Sequence, residues 1–258
     1  MADGLVAEGV VRIPGEEEVP APHGDERVCF QSFSHRGFSL PLHPFVRGLL
    51  FAYQLQLHDL TPNGILHIVC FLGVYPHWGL WRYLFNVKRT CGEYLVGGCA
   101  ISIKDKEAYF DLEKLDSVQG WRKKWFYLRD QTAPGQQYGL APFDSGARAL
   151  QRESWEHELT PAELEVVEPM AQSVAALKKR MTGLQLIAVF LKRCVQPLQH
   201  RVRPMWEYSG LEDPTQCLHV QVSSRELLAR VQRITKCSST ALASTMAPYT
   251  ANQPLPEV

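Results

Sequence analysis

The chain has 258 residues, of which 45% are apolar and 21% charged, with 27 basic and 27 acidic side chains. That length can bury a sizeable core, as one large domain or two small ones, and that composition excludes a chain disordered throughout. A formal net charge of zero excludes a wholly basic nucleic-acid binder, and no apolar run approaches the ~20 residues of a membrane span.

The charge is unevenly placed. Residues 1–28 hold seven acids against Arg12 and Arg27, and residues 238–258 hold only Glu257, which leaves the body at +6. Residues 1–27 mix Gly, Pro and Glu without periodicity and read as a flexible acidic leader. They show no basic start followed by an apolar core, so they do not form a secretory signal. Order is expected from Val28-Cys29-Phe30. Pro44 suits the first turn of a helix reaching about Leu57, with Phe45, Leu49, Ala52 and Tyr53 on one stripe. Thr61-Pro62 opens a second helix, with Thr61 as cap and Ile65, Ile68, Val69 and Leu72 at helical spacing. Pro76 ends it, and an aromatic segment from His77 to Phe85 comes next.

The middle changes character. Glu93–Val96, Gly97-Gly98 and Cys99–Ile103 predict a hairpin around a glycine turn. Tyr109-Phe110 and Trp125–Leu128 are candidate further strands, and residues 131–147 read as a loop. Thr160-Pro161-Ala162-Glu163 is a capping box with proline in the first turn, a strong helix start. Pro169 is expected to split that helix in two. Gly183–Val195 is apolar nearly all round, as in a core helix. A second capping box, Ser223 to Glu226, starts a last helix with Leu227, Val231 and Ile234 on its stripe. The tail from Ser238 reads as disordered. These elements predict an α+β domain over about 28–237 that is mostly α-helical, with helical N- and C-terminal parts around a small β-hairpin or sheet in the middle.

Candidate chemistry is sparse. The seven cysteines, at 29, 70, 91, 99, 194, 217 and 237, are odd in number and form no C-x-x-C pair. Several sit inside apolar runs, which points to buried free thiols and to the cytoplasm or nucleus. Cys194 with His200 and Cys217 with His219 lack the grouped four-ligand spacing of zinc sites. No phosphate-binding, nucleophile-elbow or zincin motif is present, so no catalytic residue, metal site, cofactor or small-molecule substrate is implied. Asp144-Ser145-Gly146-Ala147 matches the turn in which aspartic proteases present a carboxylate. It lacks the flanking apolar strands, and the reading adopted is a polar loop turn. Trp121-Arg122-Lys123-Lys124-Trp125-Phe126-Tyr127 interleaves cations for phosphates with rings for bases, or else is a turn feeding a half-buried strand. Arg201, Arg203, Arg230, Arg233 and Lys236 extend the positive charge, with a solvated helix face as the plain alternative.

Taken in order, several blocks of uncommon residues resemble one known family. They are Phe33-Ser34-His35-Arg36-Gly37-Phe38-Ser39-Leu40-Pro41, Leu60-Thr61-Pro62-Asn63-Gly64-Ile65-Leu66-His67-Ile68, Trp81-Arg82-Tyr83-Leu84-Phe85 and Asp116 to Tyr127. Val195-Gln196-Pro197-Leu198-Gln199, Pro204 to Gly210 and Asp213-Pro214-Thr215 complete the set. Over about 28–237 the chain resembles the plant "putative gypsy-type transposon" domain, also labelled a putative gypsy-type transposase. The resemblance implies a retrotransposon-associated protein and brings no catalytic residues. No nucleocapsid zinc knuckle and no reverse-transcriptase Tyr-x-Asp-Asp occurs. The expectation is a non-catalytic structural or assembly module, gag-like, working through protein partners or self-association. Weak, non-specific nucleic-acid binding is the alternative, and an aspartic protease at Asp144 the outlier. The stretch from His67 to His77 is shorter than the family's pattern, which predicts incomplete cover for Phe71, Leu72, Val74 and Tyr75.

Overall fold

The computed structural model describes residues 11–38, 42–74, 76–89, 98–106, 108–110, 112, 118–130, 138–144, 153–156 and 158–190, with 225, 229, 231 and 232. The strands β1 (Val11–Arg12), β2 (Glu26–Phe30), β3 (Phe85–Arg89), β4 (Cys99–Ile103) and β5 (Trp125–Arg129) form two antiparallel sheets. The helices are α1 (Gln31–Ser34), α2 (Pro44–Tyr53), α3 (Pro62–Leu72), α4 (Trp78–Leu84), α5 (Glu153–Glu156), α6 (Pro161–Lys178) and α7 (Gly183–Phe190).

This is a mixed α/β arrangement, about 48% helix and 16% strand among the described residues, and the expected layout of helical ends around a β centre is wrong. The reason lies in the pairing. β5 is the middle strand of a sheet ordered β1-β5-β2, so both of its partners come from the first thirty residues. Val28, Cys29 and Phe30 stand opposite Tyr127, Phe126 and Trp125. Two apolar segments far apart in sequence bury one another. The chain read as a flexible leader contributes β1, where Val11 faces Leu128 and Arg12 faces Tyr127.

The hairpin is also placed differently. β4 pairs with β3, from Phe85 opposite Ile103 to Arg89 opposite Cys99. The expected partner, Glu93–Val96, lies outside the described residues. The aromatic segment from His77 is helical as far as Leu84 and then becomes β3. Tyr109 and Phe110 are not in a strand; both are buried in the core.

The helix starts obey local chemistry. Thr61 Oγ1 accepts the Gly64 N–H at 3.1 Å, and Thr160 Oγ1 accepts that of Glu163 at 3.3 Å while Glu163 receives the Thr160 N–H at 2.8 Å. Both are followed by proline, which has no amide to satisfy. α2 stops at Gln54, whose φ of 52° is the left-handed turn that ends helices. It therefore falls short of Leu57, which starts a 3-10 turn over Leu57–Asp59. Pro169 does not split α6, which runs unbroken from Pro161 to Lys178. Its ring lies on the exposed face, where water can satisfy the freed carbonyl of Glu165.

At the centre, α3 is buried along Ile65, Leu66, Ile68, Val69, Cys70 and Phe71. Phe71, Trp81, Phe85 and Tyr109 form a ring cluster, with Trp81 stacked on Phe85 at 4.3 Å. Trp81 Nε1 donates to the Tyr53 hydroxyl at 3.2 Å, so the polar edge of its indole is satisfied. α7 closes the end of α3: a Cβ on Gly73 would lie 3.0 Å from the Leu186 carbonyl oxygen. Phe71, Leu72 and Val74 are accordingly buried. The expected gap around them is absent, because α7 supplies the missing cover; Tyr75 lies outside the described residues.

Candidate functional site

Two groups of polar side chains are built into this frame. The first lies along β5. The Trp121–Lys123 3-10 turn leads into it, started by Gly120 at a φ of 65°. Trp121 packs edge-on against Phe30 at 4.7 Å, so its ring anchors the turn to β2. The Arg122 guanidinium lies over that ring at 4.5 Å. Lys123 and Lys124 are exposed. Trp125 Nε1 donates to the Tyr127 hydroxyl at 3.4 Å, which places both rings on one face.

Residues 11–25 cross that face. The Tyr127 hydroxyl donates to Glu17 and accepts the Ala21 N–H at 2.9 Å. Arg12 lies 3.9 Å over the Tyr127 ring. It also pairs with Glu26, Nε to Oε1 at 2.8 Å and Nη2 to Oε2 at 2.7 Å, and with Glu17 at 3.2 Å. The hydrogen bond from Arg12 holds the Glu26 carboxyl down to about 2, against the opposing effect of burial. Asp25 pairs with Arg129 at 3.1 Å at the far end of the strand.

The second group surrounds the 3-10 turn at Leu57–Asp59. Asp59 Oδ2 accepts the Gln56 N–H at 2.8 Å, and Gln56 Oε1 accepts the Asp144 N–H at 2.8 Å. Phe143 packs on the His58 ring at 4.7 Å. His58 Nε2 is buried without a hydrogen-bond partner and lies 3.9 Å from Asp59 Oδ1. Burial pushes Asp59 up to about 6 and His58 down to about 4. Cys99, bridged to Leu60 through the backbone, has its thiol pushed by burial up to about 12. The backbone amide of Asp144 thus pins a loop to the turn. Ser145, Gly146 and Ala147 lie outside the described residues.

Of the residues singled out from the sequence, Arg122, Lys123 and Lys124 stand consecutively at the entry to β5. Arg201, Arg203, Arg230, Arg233 and Lys236 lie outside the described residues. Sequence reasoning missed Arg12, Glu17 and Glu26 as partners of that strand. The only signal available was the acidic run Glu16-Glu17-Glu18 set against a basic and aromatic one. The buried thiols of Cys29 and Cys70 are pushed far above the ordinary cysteine range, as expected of packing residues. Among the described residues no helix is long and apolar enough to cross a membrane, and no three metal-ligating side chains converge.

Residues 28–89 match the family model described as "Putative gypsy type transposon". The gypsy-type match begins on β2 and ends with β3, and so takes in α1 to α4 and most of the aromatic cluster. It covers the first part of the resemblance read from the sequence, which reaches to about residue 237. No curated protein and no solved structure matches the chain.

Proposed function

We propose that the chain is a structural or assembly module of a transposable-element protein, gag-like, acting through protein contacts or self-association and without catalysis of its own. The observation that carries the reading is how the gypsy-type segment uses its reactive side chains. Cys29 and Cys70 are fully buried, burial holds His58 and His67 neutral at pH 7, and Asp59 is tied to a backbone amide. Each serves packing or backbone geometry. A cytoplasmic or nuclear location agrees with the free thiols.

Contact capacity is offered on the outer side of α2. Phe51 is 62% exposed and stacks on Tyr138 at 4.6 Å, a rigid aromatic pair of the kind enriched at interfaces. Light scattering over a wide concentration range tests the reading. Self-association weakened by Phe51→Asp is the expected result. A chain that stays monomeric throughout contradicts self-association through this face.

The nucleic-acid alternative is favoured by one observation, the grouping of Arg122, Lys123 and Lys124 beside Trp121 and Trp125. Contacts with a handful of phosphates would make binding fall by an order of magnitude or more between ~50 and ~200 mM salt. Binding that survives high salt contradicts it.

A further inference from the structure

Tyr127, in the middle of a strand preceded by the exposed Lys123 and Lys124, is fully buried. Two of the three polar contacts to its hydroxyl, Glu17 and the Ala21 amide, come from residues 11–25. Those residues are acidic, with Glu16, Glu17, Glu18 and Asp25 against Arg12, and they run along the basic strand. The antiparallel register carries the chain from Arg12, opposite Tyr127, toward the Lys124 end. Two carboxylates mark where it touches β5, Glu17 on the mid-strand Tyr127 hydroxyl and Asp25 on Arg129 at the strand's end.

The attachment is polar and shallow. β1 is two residues long, and the large apolar side chains of the crossing segment, Ile13 and Val19, are 57% and 58% exposed. Of its apolar side chains Val11 packs against the core, so burial holds the segment mainly at β1. Ion pairs at partly exposed positions contribute little and are screened by salt. The segment lies on Tyr127, whose hydroxyl also takes the Trp125 Nε1–H, and the same strand is led in by Trp121, Arg122 and the exposed Lys123 and Lys124. Rings for bases next to cations for phosphates are what single-stranded nucleic acid requires.

We propose that residues 11–25 are an acidic strap, closed by Arg12, that occupies a single-stranded nucleic-acid site on β5 and must lift for the strand to bind. The strap's carboxylates take the place of phosphates. The inference deepens the nucleic-acid alternative above and rests on it. A site exposed only a small fraction of the time binds more weakly by that fraction, so opening the strap raises the apparent affinity.

Arg12→Ala in the full chain separates this from a simple charge effect, because it removes a positive charge and should still tighten binding. The probe is a labelled single-stranded oligonucleotide followed by anisotropy at low salt, with hydrogen exchange at residues 13–22 reporting the strap. A strap open a tenth of the time would give a gain of about tenfold, and adding Lys123→Ala and Lys124→Ala should abolish it. If Arg12→Ala compromises folding, Glu17→Gln replaces it. The reference is then Glu165→Gln on the exposed side of α6, which changes charge equally; Glu17→Gln must exceed it. Wild type and an open-strap variant binding equally well would overturn the strap and leave the nucleic-acid alternative standing. No binding by any variant overturns both. Competition by polyglutamate as effective as by unlabelled oligonucleotide overturns the assignment to nucleic acid.

Discussion

His58 and Asp59 are neighbours in the chain, both buried, and they titrate in opposite senses. The folded carboxyl of Asp59, at about 6, lies above its unfolded value, so ionising it costs stability as pH rises from about 4 to 6. The folded imidazole of His58, at about 4, lies below its unfolded value, so stability falls as pH drops from about 6.5 to 4. Over the shared window the two slopes offset each other. Asp59→Asn keeps an oxygen for the Gln56 amide but removes one slope, so its stability should fall more steeply than the wild type's on acidification. The difference should reach on the order of 2–3 kcal/mol between pH 6.5 and 4. Urea unfolding at a series of pH values checks this; parallel curves would mean Asp59 is already ionised in the folded chain. At Asp144 it is the backbone N–H that holds Gln56. Asp144→Asn should therefore leave the stability within about 0.5 kcal/mol of wild type in thermal unfolding. Acid peptidase activity lost in that variant would restore the protease reading.

Elements whose cause is local were legible in the sequence. Thr61-Pro62 and Thr160-Pro161 place both the cap and the amide-free first turn within four residues, and α3 and α6 begin there. β5 was legible as a strand from Trp125–Leu128, but its neighbours were not. They lie about a hundred residues upstream, and the pairing depends on a surface that exists only after folding. The small sheet failed for a related reason. Gly97-Gly98 suggested a turn with a near partner, while β4 found Phe85–Arg89. Pro169 misled because the cost of a helical proline depends on whether the freed carbonyl meets water, which the sequence does not state. Along β5, the cations were legible and the acidic segment that docks on Tyr127 was not, since charge runs do not announce where they dock. The contact between α4 and α6 can be probed at its closest point. A Cβ on Gly79 would come within 2.7 Å of Val167 Cγ2, so Gly79→Ala should push α4 off α6 and cost about 1–3 kcal/mol in thermal unfolding. Gly48→Ala would meet only Tyr138 at 3.7 Å and should be tolerated better. Thr160→Ala should cost on the order of 1 kcal/mol by the same measurement, since the Glu163 amide loses its acceptor.

Across the whole molecule, one core joins the gypsy-type segment to the later helices. α3 packs on α7, and α4 packs on α6. Amides of Val69–Leu72 should therefore exchange as slowly as those of Leu186–Phe190, because the same opening exposes both. Much faster exchange in the first set would show that the shortened His67–His77 stretch weakens the N-terminal core after all. The sheet pairings add a consequence for the order of events during synthesis. β2 leaves the ribosome long before β5, and at ~5–20 residues per second its hydrogen-bonding edge waits several seconds for a partner. β3 waits only until β4 emerges. The nascent segment 28–89 thus passes through a period with both strands unpaired, when their hydrogen-bonding edges are open to any other extended chain.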